Sequence, residues 1–217
     1  MNRPLRLATV ALTASAALLL TACGSDDKSK DNDKIAGAEQ EGGKKSTSPS
    51  ASPSEDADRP KIKLPSDLNM TFEEPSTGDT VKKAVLADNA ERMRAVNAAI
   101  TGTDPKGEAV GYYNTGRALE ASATWVETFK KADLSITGEV RYYDRRVTLK
   151  DKKTASLSFC ADEGKGYTKD KKSGKTNKTP VTKKSYVSYN TQLVKNDAGT
   201  WQTSQIVSTR GAAQCQP

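Results

Sequence analysis

The sequence predicts an α+β domain in which N-terminal helices pack on a curved antiparallel sheet, after a signal peptide and a disordered tether. Apolar residues recur at helical spacing over about residues 80–131. After Ala132 the period changes to the alternation that is typical of half-buried strands. A polar stretch without aromatic residues, from Gly24 to Pro60, separates these elements from an apolar amino terminus. The chain is thus divided into residues 1–22, 23–60 and 61–217.

The first 22 residues have the three zones of a secretory signal peptide. Arg3 and Arg6 make the first zone positive, an apolar zone runs from Leu7 to Leu20, and small residues follow. The apolar zone has about 14 residues, fewer than the roughly 20 that cross a bilayer as a helix. A cleaved signal is therefore the favoured interpretation, and a permanent membrane helix is the weaker one.

The four residues Leu20 to Cys23 resemble the lipobox of bacterial lipoproteins. The resemblance implies that Cys23 is diacylated on its sulfur and becomes the first residue of the mature chain. It also implies a location on the extracytoplasmic face of the cell membrane, held there because each buried methylene contributes about 0.8 kcal/mol. The alternative is an ordinary signal that is cut after an alanine, with Cys23 discarded.

The segment from Gly24 to Pro60 is expected to be a flexible tether. It contains one large aliphatic residue, Ile35, and no aromatic residue, so it cannot bury enough apolar surface to become ordered. A coil of this length spans roughly 30 to 35 Å. The tether holds 6 Lys and Arg against 9 Asp and Glu, whereas residues 61–217 hold 26 against 18. The basic character therefore belongs to the predicted domain.

Two helical stretches open the domain. The first can begin with Asp79 or Thr80 as its cap and can end at Gly102. The second runs from about Glu108 to Lys131 and is expected to break near Gly116. The apolar face of the first stretch is formed by Val81, Val85, Met93, Val96 and Ile100.

The strands follow from Leu134 onwards. The parity of the apolar residues changes within 134–149, which predicts a bulge near Tyr143 and Asp144. A short strand then ends at Cys160, and a hairpin turns through residues 196–199.

These landmarks are similar to those of small secreted proteins and lipoproteins of actinobacteria with a nuclear-transport-factor-two-like, or cystatin-like cone, domain. The resemblance covers about residues 77–217 and implies a cone-like fold. This fold hosts isomerases, dehydratases and many binding or accessory domains, so it does not fix the function. The landmarks are Gly138, Cys160 to Asp162, Asp170 to Gly174, Asp197 to Trp201, and Cys215.

Cys160 and Cys215 are the two cysteines of the domain, and we expect them to form a disulfide. Exported proteins with paired cysteines usually oxidise them. Closing a loop of about 55 residues should stabilise the fold by about 4 kcal/mol on the chain-entropy estimate. A reactive thiol pair is the weaker alternative, because the two cysteines are not a CxxC motif.

The composition excludes several kinds of chemistry. The chain has no histidine, which rules out Ser-His-Asp and Cys-His catalysis and imidazole metal ligands. No catalytic constellation, cofactor or metal site is predicted. Asp144, among tyrosines and arginines, is the best single candidate for a buried acid, and a surface ion pair is the alternative.

A lysine-rich stretch from Gly164 to Lys184 is predicted to be a long exposed connection between strands. It is either a solvated loop or a contact for anionic lipid headgroups or a wall polymer. Nucleic acid is not expected, because the only aromatic residue of the stretch is Tyr167. The candidate anion contacts are Lys165, Lys169, Lys171, Lys172, Lys175 and Lys178, and Lys183 and Lys184 complete the set of eight.

The leading hypothesis is a non-catalytic lipoprotein that works by contact with a protein or an envelope polymer. The alternative is a small-ligand binding module, or an isomerase-like or dehydratase-like enzyme, that uses the cone as a pocket. A wall-associated spacer is a third class. A charged residue at the floor of a pocket would favour the second class, and a cone filled by side chains would favour the first. The candidate pocket residues are Tyr112, Tyr113, Trp125 and Asp144.

Overall fold

A computed structural model describes residues 59–74 and 76–217 of the chain. The predicted signal peptide and Cys23 lie outside the described residues, as does the predicted tether except Arg59 and Pro60. Two short 3₁₀ turns, Lys183–Ser185 and Ala213–Cys215, accompany the helices and strands. The main elements in chain order are β1 (Leu68–Phe72), α1 (Thr80–Thr101), α2 (Glu108–Tyr113), α3 (Gly116–Lys131), β2 (Leu134–Leu149), β3 (Thr154–Asp170), β4 (Thr176–Asn177), β5 (Tyr186–Lys195) and β6 (Trp201–Arg210).

Helix α1 begins and ends where the sequence predicts. A carboxylate oxygen of Asp79 accepts hydrogen bonds from the backbone N–H groups of Val81 and Lys82, at 2.8 and 3.1 Å. Gly102 ends the helix with φ 89°, a conformation that glycine adopts without strain. Val81 does not belong to the buried face as expected, since it is 40% exposed and the buried residues of the helix begin at Val85.

The predicted break in the second helical stretch is confirmed. Helix α2 ends at Tyr113, and Asn114 and Thr115 are extended before α3 begins at Gly116. The backbone N–H of Thr115 donates to the carbonyl of Thr203 in β6 at 2.9 Å. The break therefore attaches the helical layer to the last strand of the sheet.

The α+β class is confirmed, with helices packed on one face of a curved sheet. The strand order is β1-β2-β3-β5-β6, and β4 pairs with the outer part of β3. The sheet is mixed rather than wholly antiparallel, because β1 pairs in parallel with β2. The sequence analysis missed β1, which has only five residues, although Leu68, Met70 and Phe72 alternate with polar residues.

Strand β2 is irregular at two places, and both bend the sheet. Its register with β3 shifts between Glu139 and Arg141 and again between Tyr143 and Arg146. The second shift confirms the predicted bulge: Asp144 has φ 50°, and its backbone N–H donates to a carboxylate oxygen of Glu73 at 2.6 Å. Bulges increase the local twist, so β2 can curve around the helices.

Strand β3 is longer than predicted. The predicted strand ends at Cys160, but the observed strand continues to Asp170 by pairing with residues 134–142 of β2. Glycine and lysine have low strand propensity, so tertiary pairing overrides the local composition here. The first part of the predicted lysine-rich connection, residues 164–170, is therefore strand.

Three clusters of buried side chains hold the described residues together. The largest lies between α1 and the sheet and includes Leu157, Leu193 and Trp201. A second joins α1, α2 and α3. The third surrounds the predicted disulfide between Cys160 and Cys215, which is formed. The bridge fastens the end of the chain to β3.

A buried carboxylate, Asp88 of α1, connects three parts of the fold. It accepts a hydrogen bond from the backbone N–H of Trp201 in β6 at 2.8 Å. It also accepts one from the guanidinium of Arg59, with which it forms an ion pair. Arg59, which the sequence analysis assigned to the tether, is thus attached to the core.

Gly138 should tolerate no side chain. It has φ 97°, and an added Cβ would lie 2.1 Å from the carbonyl oxygen of Lys165. We expect Gly138→Ala to lower the free energy of unfolding by at least about 2 kcal/mol, because it combines backbone strain with a steric clash. Urea denaturation measures the change. The matched control is Gly111→Ala, in a helix with open space around it, which should raise stability by roughly 0.5 to 1 kcal/mol. Equal effects of the two substitutions would contradict the described geometry of β2.

Candidate functional site

A cavity of about 620 Å³ lies between helices α1 and α3 and the inner face of the curved sheet. Strands β2, β3, β5 and β6 form its other wall. Its lining is mainly apolar and aromatic, with a few charged and hydroxyl groups. The residues that define its chemistry are Arg92, Ser122, Trp125, Phe129, Tyr142, Glu163, Tyr167, Tyr189 and Arg210.

Arg92 of α1 is the buried charge of this cavity, with an exposed fraction of 4%. Its Nε donates to the side-chain oxygen of Asn114 at 2.7 Å, and its Nη2 donates to the hydroxyl of Ser122 at 2.9 Å. Its Nη1 makes a weak contact of 3.2 Å with the sulfur of Met93. These bonds join α1 to the start of α3 and fix the direction of the guanidinium.

No carboxylate among the described residues forms an ion pair with Arg92. Burial lowers its pKa from 12.5 to about 10, so the side chain is still cationic at neutral pH. A decrease of that size corresponds to roughly 3 kcal/mol against the charged form. The domain therefore holds a cation whose burial is not compensated by an anion of the described chain.

Two tyrosines of the cavity keep their protons at neutral pH. Burial is the main cause that raises the pKa of Tyr142 and of Tyr189, and the nearby charge of Glu163 adds to it. The Tyr189 hydroxyl lies 3.4 Å from a carboxylate oxygen of Glu163. Both hydroxyls can therefore act as hydrogen-bond donors.

An ion pair stands at the rim of the cavity. Glu163 of β3 and Arg210 of β6 approach to 2.7 Å and are both partly exposed. Trp125 of α3 is 49% exposed and packs edge to face on Phe129, with ring centroids 5.1 Å apart. The wall around Trp125 is thus apolar, and the Glu163–Arg210 pair is nearly neutral.

The structure does not bring the four candidate pocket residues together. Trp125 lines the cavity. Tyr112 accepts a hydrogen bond from the hydroxyl of Thr200 at 3.2 Å, and Tyr113 is buried among α1, α2 and α3. Asp144 is half exposed at the β2 bulge, 3.5 Å from Arg146. The placement of Asp144 matches the surface ion pair that the sequence analysis gave as the alternative.

Arg92 is not among the site residues predicted from the sequence, although the sequence contains a signal for it. Val85, Asn89, Arg92 and Val96 have the spacing i, i+4, i+7 and i+11, which places them on one stripe of α1. All four are buried. A charged residue on the apolar stripe of a helix is the observation that could have identified the site.

The eight lysines of residues 164–184 differ in their surroundings. Three of them form ion pairs within the domain: Lys165 with Glu139 at 3.2 Å, Lys169 with Asp67 at 2.5 Å, and Lys172 with Asp133 at 2.7 Å. The other five are exposed and have no ion pair with the described carboxylates. They are Lys171, Lys175, Lys178, Lys183 and Lys184.

Within residues 59–74 and 76–217, no cluster of three or more acidic, cysteine or histidine side chains could hold a metal ion. None of the helices in that part of the chain is long and apolar enough to cross a membrane.

No protein-family model matches the chain, and no curated protein matches it. Solved structures with some similarity include a ketosteroid isomerase-like protein from Erwinia carotovora atroseptica SCRI1043, at 16% identity and a TM-score of 0.42. That match covers 61% of this chain and 97% of the other. The intermembrane space region of the chloroplast protein ARC6 matches at 10% identity and a TM-score of 0.41, over 63% and 99% of the two chains.

A protein from Catenulispora acidiphila matches at 12% identity and a TM-score of 0.40, over 59% of this chain and 93% of the other. At these identities and TM-scores the likenesses decide neither the family nor the function. The fold described above rests on the order and pairing of the chain's own elements, and the likeness to actinobacterial lipoproteins stays a prediction.

Arg92 should contribute little to the stability of the unliganded protein. We expect Arg92→Met to leave the free energy of unfolding within about 1 kcal/mol of the original, or to raise it, because removal of a desolvated charge offsets the lost hydrogen bonds. Arg59→Met is the contrasting variant: it leaves Asp88 buried without its cation and should cost about 3 kcal/mol. Urea denaturation at pH 7 compares the two. A loss above about 3 kcal/mol for Arg92→Met would show that Arg92 is mainly structural.

Proposed function

We propose that the chain is a lipid-anchored protein of the extracytoplasmic face whose domain binds a small, mainly apolar ligand in the cavity between helices and sheet. The observation that carries this proposal is the buried cation Arg92 in a cavity of about 620 Å³. A charged residue at the floor of a pocket is the feature that the sequence-based prediction gave as favouring a ligand-binding module or an enzyme over surface contact.

The size and lining of the cavity support binding of a small molecule. Ligand sites in proteins usually measure about 300 to 1,000 Å³, with apolar walls and a few polar groups that orient the ligand. Here Trp125, Phe129 and Val96 supply apolar surface, while Arg92 and the tyrosine hydroxyls supply the polar contacts. A core filled by side chains would not leave this space.

Binding fits the geometry better than catalysis does. The one carboxylate among the described residues that line the cavity is Glu163, and it is already engaged with Arg210. A general base must be free to reach a substrate proton. An isomerase-like or dehydratase-like activity would require Glu163 to leave this ion pair.

A second candidate function, contact with a phosphate-bearing envelope component, is favoured by the five exposed lysines that lack ion pairs. In this proposal the lipid on Cys23 holds the protein at the membrane, and the lysines attract lipid headgroups or a wall polymer. Each lysine near an anionic surface contributes about 1 kcal/mol. This contact would orient the domain, while the cavity holds the ligand.

Ligand binding is tested by native mass spectrometry of residues 24–217, oxidised and incubated with an envelope extract of the source organism. We expect one reproducible added mass below that of a protein. Ala121→Trp, which places a large ring on a cavity-lining position of α3, should abolish the added mass. The matched control is Ala123→Trp, an exposed position on the same helix that does not line the cavity.

Two results would contradict the binding proposal. A spectrum of the unliganded mass alone would remove its support, as would an adduct that survives Ala121→Trp unchanged. An adduct of protein size would instead indicate a protein partner, for which the five exposed lysines without ion pairs are the candidate contact.

The anchor and the lysines are tested together. We expect mass spectrometry of the amino-terminal peptide from the membrane fraction of the cells to show two acyl chains on Cys23, and an unacylated amino terminus there would contradict the lipid anchor. The protein without lipid, residues 24–217, should bind vesicles of phosphatidylglycerol and phosphatidylcholine at low salt but not phosphatidylcholine alone. Replacement of Lys171, Lys175 and Lys178 by glutamine should weaken that binding by about 100-fold.

The matched control for the lysine variant is glutamine at three lysines outside the lysine-rich stretch, Lys61, Lys63 and Lys152, which removes the same charge. Soluble inorganic polyphosphate should compete with the vesicles if phosphate is the shared feature. Equal weakening by the two triple variants would contradict a specific lysine surface, because net charge alone would then explain the binding.

A further inference from the structure

The guanidinium of Arg92 has hydrogen-bonding capacity that residues 59–74 and 76–217 do not use. An arginine side chain carries five N–H donors. Arg92 makes three contacts, with Asn114, Ser122 and Met93, and the third is to a weakly accepting sulfur. Two N–H donors therefore remain on a side chain that lines the cavity. They point to a ligand group that accepts two hydrogen bonds.

We propose that the ligand of this cavity is a monoanionic amphipathic molecule whose carboxylate binds Arg92 and whose apolar body lies against the aromatic wall. This inference rests on the proposed function, since it names the chemical class of the ligand for the same site.

The charge balance of the cavity supports an anionic ligand. Its charged lining residues are Arg92, Arg210 and Glu163. Glu163 and Arg210 neutralise each other at the rim, at 2.7 Å. The charge of Arg92 remains, so a ligand with one negative charge would make the occupied site neutral. A cationic ligand would add a second uncompensated charge to a desolvated space.

The shape of the site favours a planar anion. Arginine binds carboxylates through two parallel N–H···O bonds, a geometry that a single ammonium group cannot supply. Asn114 and Ser122 hold the guanidinium from one side, so its plane is set before a ligand arrives. Tyr142 and Tyr189 line the same cavity. The hydroxyl of Tyr142 can donate a further hydrogen bond, whereas the one hydroxyl proton of Tyr189 is donated to Glu163.

The apolar part of the ligand is suited to the rest of the lining. Trp125 and Phe129 form an edge-to-face pair on α3, and Ile136 and Val140 of β2 also line the cavity. Trp125 is half exposed, so this wall extends to the solvent. A ligand with its carboxylate at Arg92 and its apolar body along this wall would contact both features of the cavity.

The test uses two fluorescent probes that differ by one charged group. 8-Anilinonaphthalene-1-sulfonate carries a sulfonate, and N-phenyl-1-naphthylamine is the same ring system without it. Dissociation constants are measured by titration of residues 24–217 with each probe. We expect the anionic probe to bind about 10- to 100-fold more tightly, which is the range for a hydrogen bond to a charged group.

Variants locate the preference at Arg92. Arg92→Met should remove the preference for the anionic probe and leave the affinity for the neutral probe unchanged, which also shows that the cavity is intact. Arg92→Lys should keep part of the preference. Arg117→Met, which removes the same charge from an exposed position of α3 that does not line the cavity, should change neither affinity.

The carboxylate is tested by competition on the unmodified chain. Decanoate should displace the anionic probe at a concentration at least about tenfold lower than decanol does. This competition experiment requires no variant, so it tests the preference for a carboxylate even if a substitution at Arg92 prevents folding.

The outcomes distinguish a failure of the proposed function, ligand binding in the cavity, from a failure of the inference that the ligand is an anion. If neither probe binds, or if both bind equally well to Ala121→Trp, the cavity is not a ligand site and the proposed function fails. If both probes bind in the cavity but with equal affinity, or if Arg92→Met keeps the preference, the anionic ligand is wrong while ligand binding stands. Equal displacement of the anionic probe by decanoate and decanol would likewise contradict the inference that the ligand binds through a carboxylate.

Discussion

The buried guanidinium of Arg92 is the interaction on which the functional account depends. It connects α1 with Asn114, at the break between α2 and α3, and with Ser122 of α3. The same side chain keeps a positive charge inside an apolar cavity at neutral pH. A methionine of similar length could fill the space without that electrostatic cost. The cost of the arginine becomes understandable if an anion occupies the site when the protein functions.

The rest of the fold keeps this cavity open. The two register shifts in β2 curve the sheet, so the strands wrap around the helices instead of lying flat beneath them. Asp88 attaches α1 to β6, and the disulfide fixes the end of the chain to β3. These constraints hold α1 and the sheet apart by fixed contacts, which leaves a space of about 620 Å³ between them.

Local signals in the sequence predicted most of the elements but little of the site. The cap at Asp79, the end at Gly102, the bulge at Asp144 and the disulfide follow from residue chemistry that acts over short distances or from the count of cysteines. Strand β1 and the outer half of β3 depend on pairing with β2, which the local composition does not reveal. The cavity depends on how the helices pack against the sheet, which the local sequence does not reveal. Of the predicted pocket residues, Trp125 alone lines the cavity. Arg92 was detectable only as a charge on an apolar stripe.

The most direct measurement is a crystal structure of the oxidised chain with 10-bromodecanoate, in which the anomalous signal of bromine locates the end of the ligand. The account predicts both carboxylate oxygens at about 3 Å from the guanidinium nitrogens of Arg92. It places the bromine along the wall of Trp125. A cavity without ligand, or a carboxylate bound to the exposed lysines while Arg92 keeps only its contacts to Asn114, Ser122 and Met93, would contradict the account.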